Sequence, residues 1–184
     1  MKTAALYGGS FDPPHIGHEA VVKALIDLDF LDEIILMPTY LNPFKAASCA
    51  PAKLRLGWLE NIFSNYKKVR VSSFEVDMNK KVPTLKSVQH LLKNYEKIYL
   101  VIGADNLKSL QEWYKYEELN KLVTFIVASR ENIDIPKEFI KINIDIDISS
   151  SELRKKIDIS KLAKQNSQEI ATYYTETMKE KNAR

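Results

Sequence analysis

One cysteine, Cys49, stands in 184 residues, which excludes an intrachain disulfide framework and any cysteine-rich zinc site. A lone cysteine in a loop reads as an incidental small residue. No apolar run approaches the ~20 residues that cross a bilayer. The first five residues begin no long apolar core of the kind a secretory signal needs. These absences lead to the expectation of a cytoplasmic protein with no membrane partner. Charge of one sign is also scarce, with a net of only +3. The lysine pairs at 67–68, 80–81 and 155–156 are scattered, not gathered into the basic stripe of a nucleic-acid binder. No nucleic-acid partner is therefore expected, and a small anionic substrate suits the balance. A homo-oligomer is left open.

What is present is ordinary for a globular chain, 45% hydrophobic and 28% charged. The length suits a single domain, 1–184, that buries roughly 70% of its unfolded surface. Residues 3–7 read as a strand ended by Gly8-Gly9, and a helix follows Asp12-Pro13-Pro14 with Val21, Val22, Leu25 and Ile26 on one stripe. Further strands are expected at 33–37, 69–76, 97–102 and 122–128, with a half-exposed one in the alternating run 140–148. Helices are expected at 53–65, from Val82-Pro83-Thr84 to about Tyr95, around 106–113, just after Ser149, and over about 160–180. His90 is placed on a helix surface, and Met37 and Met78 among packing residues. Alternating strands and helices predict an α/β fold, a doubly wound parallel sheet covered on both faces.

In such sheets ligands sit at the carboxyl ends of the strands, near the reversal of strand order. Three unusual stretches fall at such ends: 8–18, 103–105 and 149–154. The first, GGSFDPPHIGH, holds two of only three histidines, His15 and His18, three residues apart. Two glycines followed by a helix start, with its unpaired N–H groups, suit a phosphate. Both imidazoles project from the first helical turn and can donate to phosphate oxygens, and Gly17 between them leaves room for a base or sugar. The alternatives are a histidine cap with a packed partner, or a zinc site whose remaining ligands are not apparent nearby.

GGSFDPPHIGH resembles the signature of the adenylyltransferases with the (T/H)xGH motif, and its FDPxHxGH form resembles the bacterial nicotinate-nucleotide adenylyltransferases. ISSSELR at 148–154 is similar to that family's ISSTxIR, and Gly103-Ala104-Asp105-Asn106-Leu107 with Trp113-Tyr114 resembles its GxDxL…W segment. The likeness runs from about residue 4 to 157. Two stretches depart from the pattern: Asn42-Pro43-Phe44-Lys45 where the family has PPHK, and Val82-Pro83-Thr84 where it has SYT.

The resemblance implies a Rossmann-like fold and transfer of the adenylyl group of ATP to a mononucleotide, with pyrophosphate released. It implies that Gly8, Gly9, Ser10 and Phe11 border the ATP, that His15 and His18 contact its phosphates, and that Lys45 and Arg154 hold the outgoing phosphates. Ser150 and Ser151 assist them, and Gly103 and Asp105 border the adenosine. On the mononucleotide side it implies Gly9, Lys45, a stacking face on Trp113, and backbone donors at Thr84 and Tyr114. Mg²⁺ is expected to ride on the ATP phosphates, with no metal held by the protein. Plainer readings place Arg154 on the surface, Trp113 in the core and Asp105 as a helix cap. Rival functions are a sister adenylyltransferase acting on phosphopantetheine or nicotinamide mononucleotide, and a non-enzymatic nucleotide sensor. HIGH also occurs in class I aminoacyl-tRNA synthetases, but no KMSKS-type loop accompanies it here.

Overall fold

The computed structural model describes residues 2–130 and 133–182, so residues 1, 131–132 and 183–184 of the expected single domain lie outside the described residues. The chain runs β1 (Thr3–Gly9), α1 (Ile16–Ile26), β2 (Glu33–Pro38), α2 (Ala52–Ile62), β3 (Val69–Val71), α3 (Phe74–Asp77), α4 (Thr84–Leu91) and β4 (Lys97–Gly103). A 3-10 stretch (Ala104–Glu112), α5 (Tyr116–Leu122), β5 (Val123–Ala128), β6 (Ile140–Ile142), α6 (Ser150–Lys155) and α7 (Ser167–Asn182) follow. Among the described residues six strands form one parallel sheet in the order β3-β2-β1-β4-β5-β6. This is the Rossmann order, and its reversal point lies between β1 and β4.

Period-two alternation divides each central strand between two cores. Leu6, Ile98, Leu100, Ile102, Phe125 and Val127 face one side, where α4 and α5 cover them with Leu85, Val88, Leu91 and Leu119. Ala5, Tyr99, Val101 and Ile126 face the other, under Val21 and Leu25 of α1. The second face continues to Trp58, Leu59 and Ile62 of α2 and Ile170 and Tyr174 of α7. Each such buried aliphatic side chain stabilises the fold by about 1.5–3 kcal/mol relative to exposure.

Several local expectations are corrected. β3 stops at Val71 rather than 76: Ser72 N–H still bonds Leu36 O, then Ser72 Oγ and Ser73 turn the chain into α3. The run 140–148 pairs only through Ile142, because its one neighbour β5 ends at Ala128, opposite Ile142. Beyond that point Ile144 N–H turns to Ser129 Oγ at 2.8 Å. The last helix begins at Ser167, not near 160, because Leu162 and Ala163 are drawn against His15 and Pro14 at the start of α1. The segment after β4 is 3-10 rather than α-helical, and α5 fills a stretch with no clear periodicity. Met37 is buried as expected, but Met78 is 42% exposed. His90 lies half-buried on α4 with its ring stacked 3.9 Å from that of Phe74.

Candidate active site

β1 carries the chain to Gly8 and Gly9, neither of which has positive φ. The left-handed residue is Phe11, at φ 47, a strained setting for a bulky aromatic. Burial holds it there: its ring meets Tyr7 edge-on at 5.5 Å and lies 4.8 Å from the His18 ring. A Cβ on Gly9 would sit 3.3 Å from the Phe11 ring, so space rather than φ calls for glycine.

His15 caps α1 in extended backbone, and His18 Nδ1 accepts the His15 N–H at 3.1 Å. The two rings stack with centroids 3.7 Å apart. An accepting Nδ1 carries no proton, so neutral His18 keeps its proton on Nε2. Gly17 lines the cavity, and the His15 ring packs against its Cβ side, where a Cβ would lie 3.0 Å from it. Burial, reinforced by Arg130, pushes His15 down to about 4. Burial also drives His18 well below its ordinary range, with His15 and Arg130 adding to the effect. The two stacked imidazoles are therefore neutral near pH 7.

Gly103 ends β4 across the reversal point. A Cβ on it would lie 2.4 Å from Asp105 Oδ1, so its glycine makes room for that carboxylate. Asp105 Oδ1 is 3.8 Å from Arg130 Nε, and Arg130 also donates to Ile148 O at 3.0 Å. Asp105 is not the cap of the 3-10 stretch, a position Gly103 holds. Ser149 caps α6 through its Oγ, which accepts Glu152 N–H, while Ser150 Oγ donates to Pro13 O at 3.0 Å. Lys45 reaches Ser10 Oγ at 3.5 Å from a loop without regular structure, and burial followed by nearby Arg154 lowers its pKa.

These groups surround a cavity of about 520 Å³, a size suited to a small ligand. Of the expected site residues, all but Arg154 line it. The Arg154 guanidinium sits behind the wall, donating to Asp12 O and, at 3.1 Å, to Ser151 Oγ. Trp113 is half-buried and shared between cavity and core, Tyr114 is 54% exposed, and Thr84 opens α4 after Pro83. Three buried side-chain atoms have no partner among the described residues: His15 Nδ1, Thr39 Oγ1 and Glu75 Oε2. All three residues line this cavity. Leaving such an atom unpaired costs about 1–3 kcal/mol, a cost that any group pairing with it would remove. Among the described residues no group of three or more His, Cys, Asp or Glu could hold a metal ion, and no helix is long and apolar enough to cross a membrane.

Sequence reasoning missed four polar residues here. Arg55 is fully buried and its guanidinium donates to the carbonyls of Ser10, Thr39, Tyr40 and Ala50. Asp12 accepts the N–H groups of Cys49 and Ala50 at 2.8 and 2.9 Å, and the Tyr174 hydroxyl. Arg130 follows the end of β5, and Glu75 lies on α3. A signal existed for two of them. Arg55 interrupts the stripe that continues through Trp58, Leu59 and Ile62, and Arg130 sits at a strand's carboxyl end like the residues that were singled out.

The Cytidylyltransferase-like family profile matches residues 6–156. A "Probable nicotinate-nucleotide adenylyltransferase" of Sulfurimonas denitrificans is 54% identical over 96% of this chain and 97% of its own. One of Campylobacter fetus, named in the same words, is 46% identical over 98% of each. The chain belongs to the nicotinate-nucleotide adenylyltransferase family. Among solved structures, a Plasmodium falciparum nicotinic acid mononucleotide adenylyltransferase in complex with NaAD superposes with a TM-score of 0.76 at 26% identity, covering 96% of both chains. Residues of all three stretches, 8–18, 103–105 and 149–154, line one cavity.

Proposed function

We propose that the chain joins ATP and nicotinate mononucleotide into deamido-NAD and pyrophosphate, an adenylyl transfer of NAD biosynthesis. One observation carries this reading: a single cavity runs from the stacked His15–His18 pair to Trp113 and the start of α4, across the Gly9–Gly103 reversal point. A molecule with phosphates at one end and an aromatic ring at the other suits it. In the reaction, a phosphate oxygen of the mononucleotide forms a bond to the α-phosphorus of ATP. The bond from that phosphorus to its bridging oxygen breaks, and the electron pair leaves with pyrophosphate. The nucleophile is already an anion, so no general base is needed. The work is alignment and neutralisation of charge.

We assign His18 Nε2–H, the remaining donor of a ring fixed by the His15 N–H, to the reacting α-phosphate. His15 lies beside it with an unpartnered Nδ1. Lys45 approaches the phosphates from its loop, and Ser150 and Ser151 do so from the start of α6. Arg154 supports that wall through Ser151 and Asp12, and it reaches the departing pyrophosphate only if it leaves the Asp12 carbonyl. Asp105 suits ribose hydroxyls, and Mg²⁺ comes with the ATP as part of the substrate. A cytoplasmic location belongs to the same reading.

Trp113 offers a face for the pyridine ring, with the first-turn N–H groups of α4 and the Tyr114 N–H near its 3-substituent. A carboxylate accepts from both and gains from the positive helix end, whereas an amide brings its own N–H groups and no charge. Loss of one charge-assisted hydrogen bond costs about 1.5–3 kcal/mol, which corresponds to at least about a tenfold preference for the acid. The test is pyrophosphate release from Mg²⁺-ATP with nicotinate mononucleotide, nicotinamide mononucleotide and phosphopantetheine in parallel. Fastest turnover of the nicotinate substrate is the expected outcome. Comparable kcat/KM for acid and amide defeats the account of the pocket, and preference for phosphopantetheine defeats the reaction.

A further inference from the structure

Of the three unpartnered buried atoms in the cavity, His15 Nδ1 belongs to the phosphate turn and Thr39 lies beside Gly9, whose carbonyl accepts its N–H. Glu75 Oε2 has no such place in the mechanism. Glu75 is 5% exposed, and its Oε1 accepts the Ser87 hydroxyl at 2.6 Å. Ser87 lies in the first turn of α4, so this hydrogen bond ties Glu75 to that helix end, and Glu75, Val82, Pro83 and Thr84 all line the cavity. A buried carboxyl with one free oxygen therefore stands at the helix end assigned above to the pyridine substituent.

Among the described residues no cation lies within 4 Å of this carboxyl. The ionisable groups on the elements around α3 are engaged or turned to solvent. Arg55 of α2 is held by four carbonyls, while Lys53 and Glu60 of that helix are exposed. On α4, Lys86 is exposed and His90 stacks on Phe74. Glu33, at the far end of β2, is held by Lys2 and Arg70. Asp77 of α3 accepts the Ser73 hydroxyl, and Lys81 of the following loop donates to Pro43 O. Burial pushes the Glu75 carboxyl up to about 7, against the opposing pull of the Ser87 hydrogen bond.

We propose that Glu75 is a specificity-determining residue that favours the acid mononucleotide over the amide, because it stands as the neutral carboxylic acid when the pyridine carboxylate is bound. The neutral acid keeps the Ser87 hydrogen bond on Oε1 and offers an O–H from Oε2. Ionised, it sets a second negative charge in a dry pocket and offsets the positive end of α4. The amide carries no charge to repel and can itself donate to an ionised Oε2. Binding of the acid is thereby linked to uptake of a proton at Glu75, and binding of the amide is not.

This inference rests on the proposed reaction, and the experiment separates the two. Each mononucleotide is titrated calorimetrically into the full chain at pH 7.5 in two buffers of different ionisation enthalpy. The phosphate is common to both ligands, so its protons cancel. The acid is expected to take up roughly 0.7 of a proton more than the amide. In turnover, the acid-to-amide ratio of kcat/KM should fall about tenfold from pH 6 to pH 8 and become flat in Glu75→Gln. Equal proton uptake with parallel wild-type pH profiles overturns the role of Glu75 and leaves the reaction standing. Absence of turnover with nicotinate mononucleotide overturns both. The wild-type measurements decide the matter even where the variant does not fold.

Discussion

The Tyr174 hydroxyl donates to the Asp12 carboxylate across 162 residues of sequence. Asp12 is 3% exposed and also accepts the N–H groups of Cys49 and Ala50. Three separate segments thus meet at one carboxylate: the turn between β1 and α1, the end of the loop that carries Lys45, and α7. Burial and then Asp12 raise the Tyr174 hydroxyl far above its ordinary range, so it remains a donor at any working pH.

Tyr174→Phe keeps the packing and deletes that donor. The Asp12 carboxylate then keeps only its two backbone donors, and stability is expected to fall by about 1–3 kcal/mol. Urea unfolding of the two proteins measures it. An unchanged midpoint shows that water replaces the hydroxyl without loss.

His18→Ala removes the Nε2–H donor assigned above to the reacting α-phosphate. Its kcat is expected to fall by about a hundredfold or more, with little change in the Michaelis constant for ATP. A rise in that constant with turnover preserved would assign His18 to ground-state binding.

Gly103→Ala places a Cβ 2.4 Å from Asp105 Oδ1. The Asp105 side chain is 62% exposed, so it swings aside and the fold is kept. The expected result is a Michaelis constant for ATP raised roughly tenfold, the loss of one hydrogen bond to a charged group, with the melting temperature little changed. An unaltered constant removes Asp105 from the ribose contact.

Stability should depend on pH through two buried groups of opposite sign. His15 is lowered from 6.5 to about 4, so the unfolded chain binds more protons between those values. Its contribution is fully present above 6.5 and is lost as pH falls through 4. Glu75 is raised from 4.5 to about 7, so the folded chain binds more protons there. Its contribution is fully present below 4.5 and is lost as pH rises through 7. Glu75→Gln abolishes only the second trend. Denaturant titrations should show the variant gaining on the wild type from pH 5 to pH 8, by up to about 3 kcal/mol. Parallel curves would mean that Glu75 ionises normally.

The pattern of residues by itself determined the alternation of strands and helices, the strand-to-helix turn with its paired histidines, and the stretches 8–18 and 103–105 at strand ends, whereas 149–154 begins seven residues past the end of β6. Those features are local: apolar periodicity, glycines, prolines and capping residues act within a few positions of one another. Only the tertiary structure decided where the strands at 69 and 140 stop: β6 ends at Ile142, opposite the last residue of β5, whereas β3 leaves the sheet at Ser72 to enter α3 although β2 runs on to Pro38. The tertiary structure alone gave Arg55, Asp12, Arg130 and Glu75 their places. Their partners are backbone carbonyls, amides and side chains from distant segments, and a buried polar group is specified by partners that exist only once the chain has folded around it. It also turned two histidines of one helical turn into a stacked, uncharged pair, since desolvation depends on the whole surrounding wall and not on spacing along the chain.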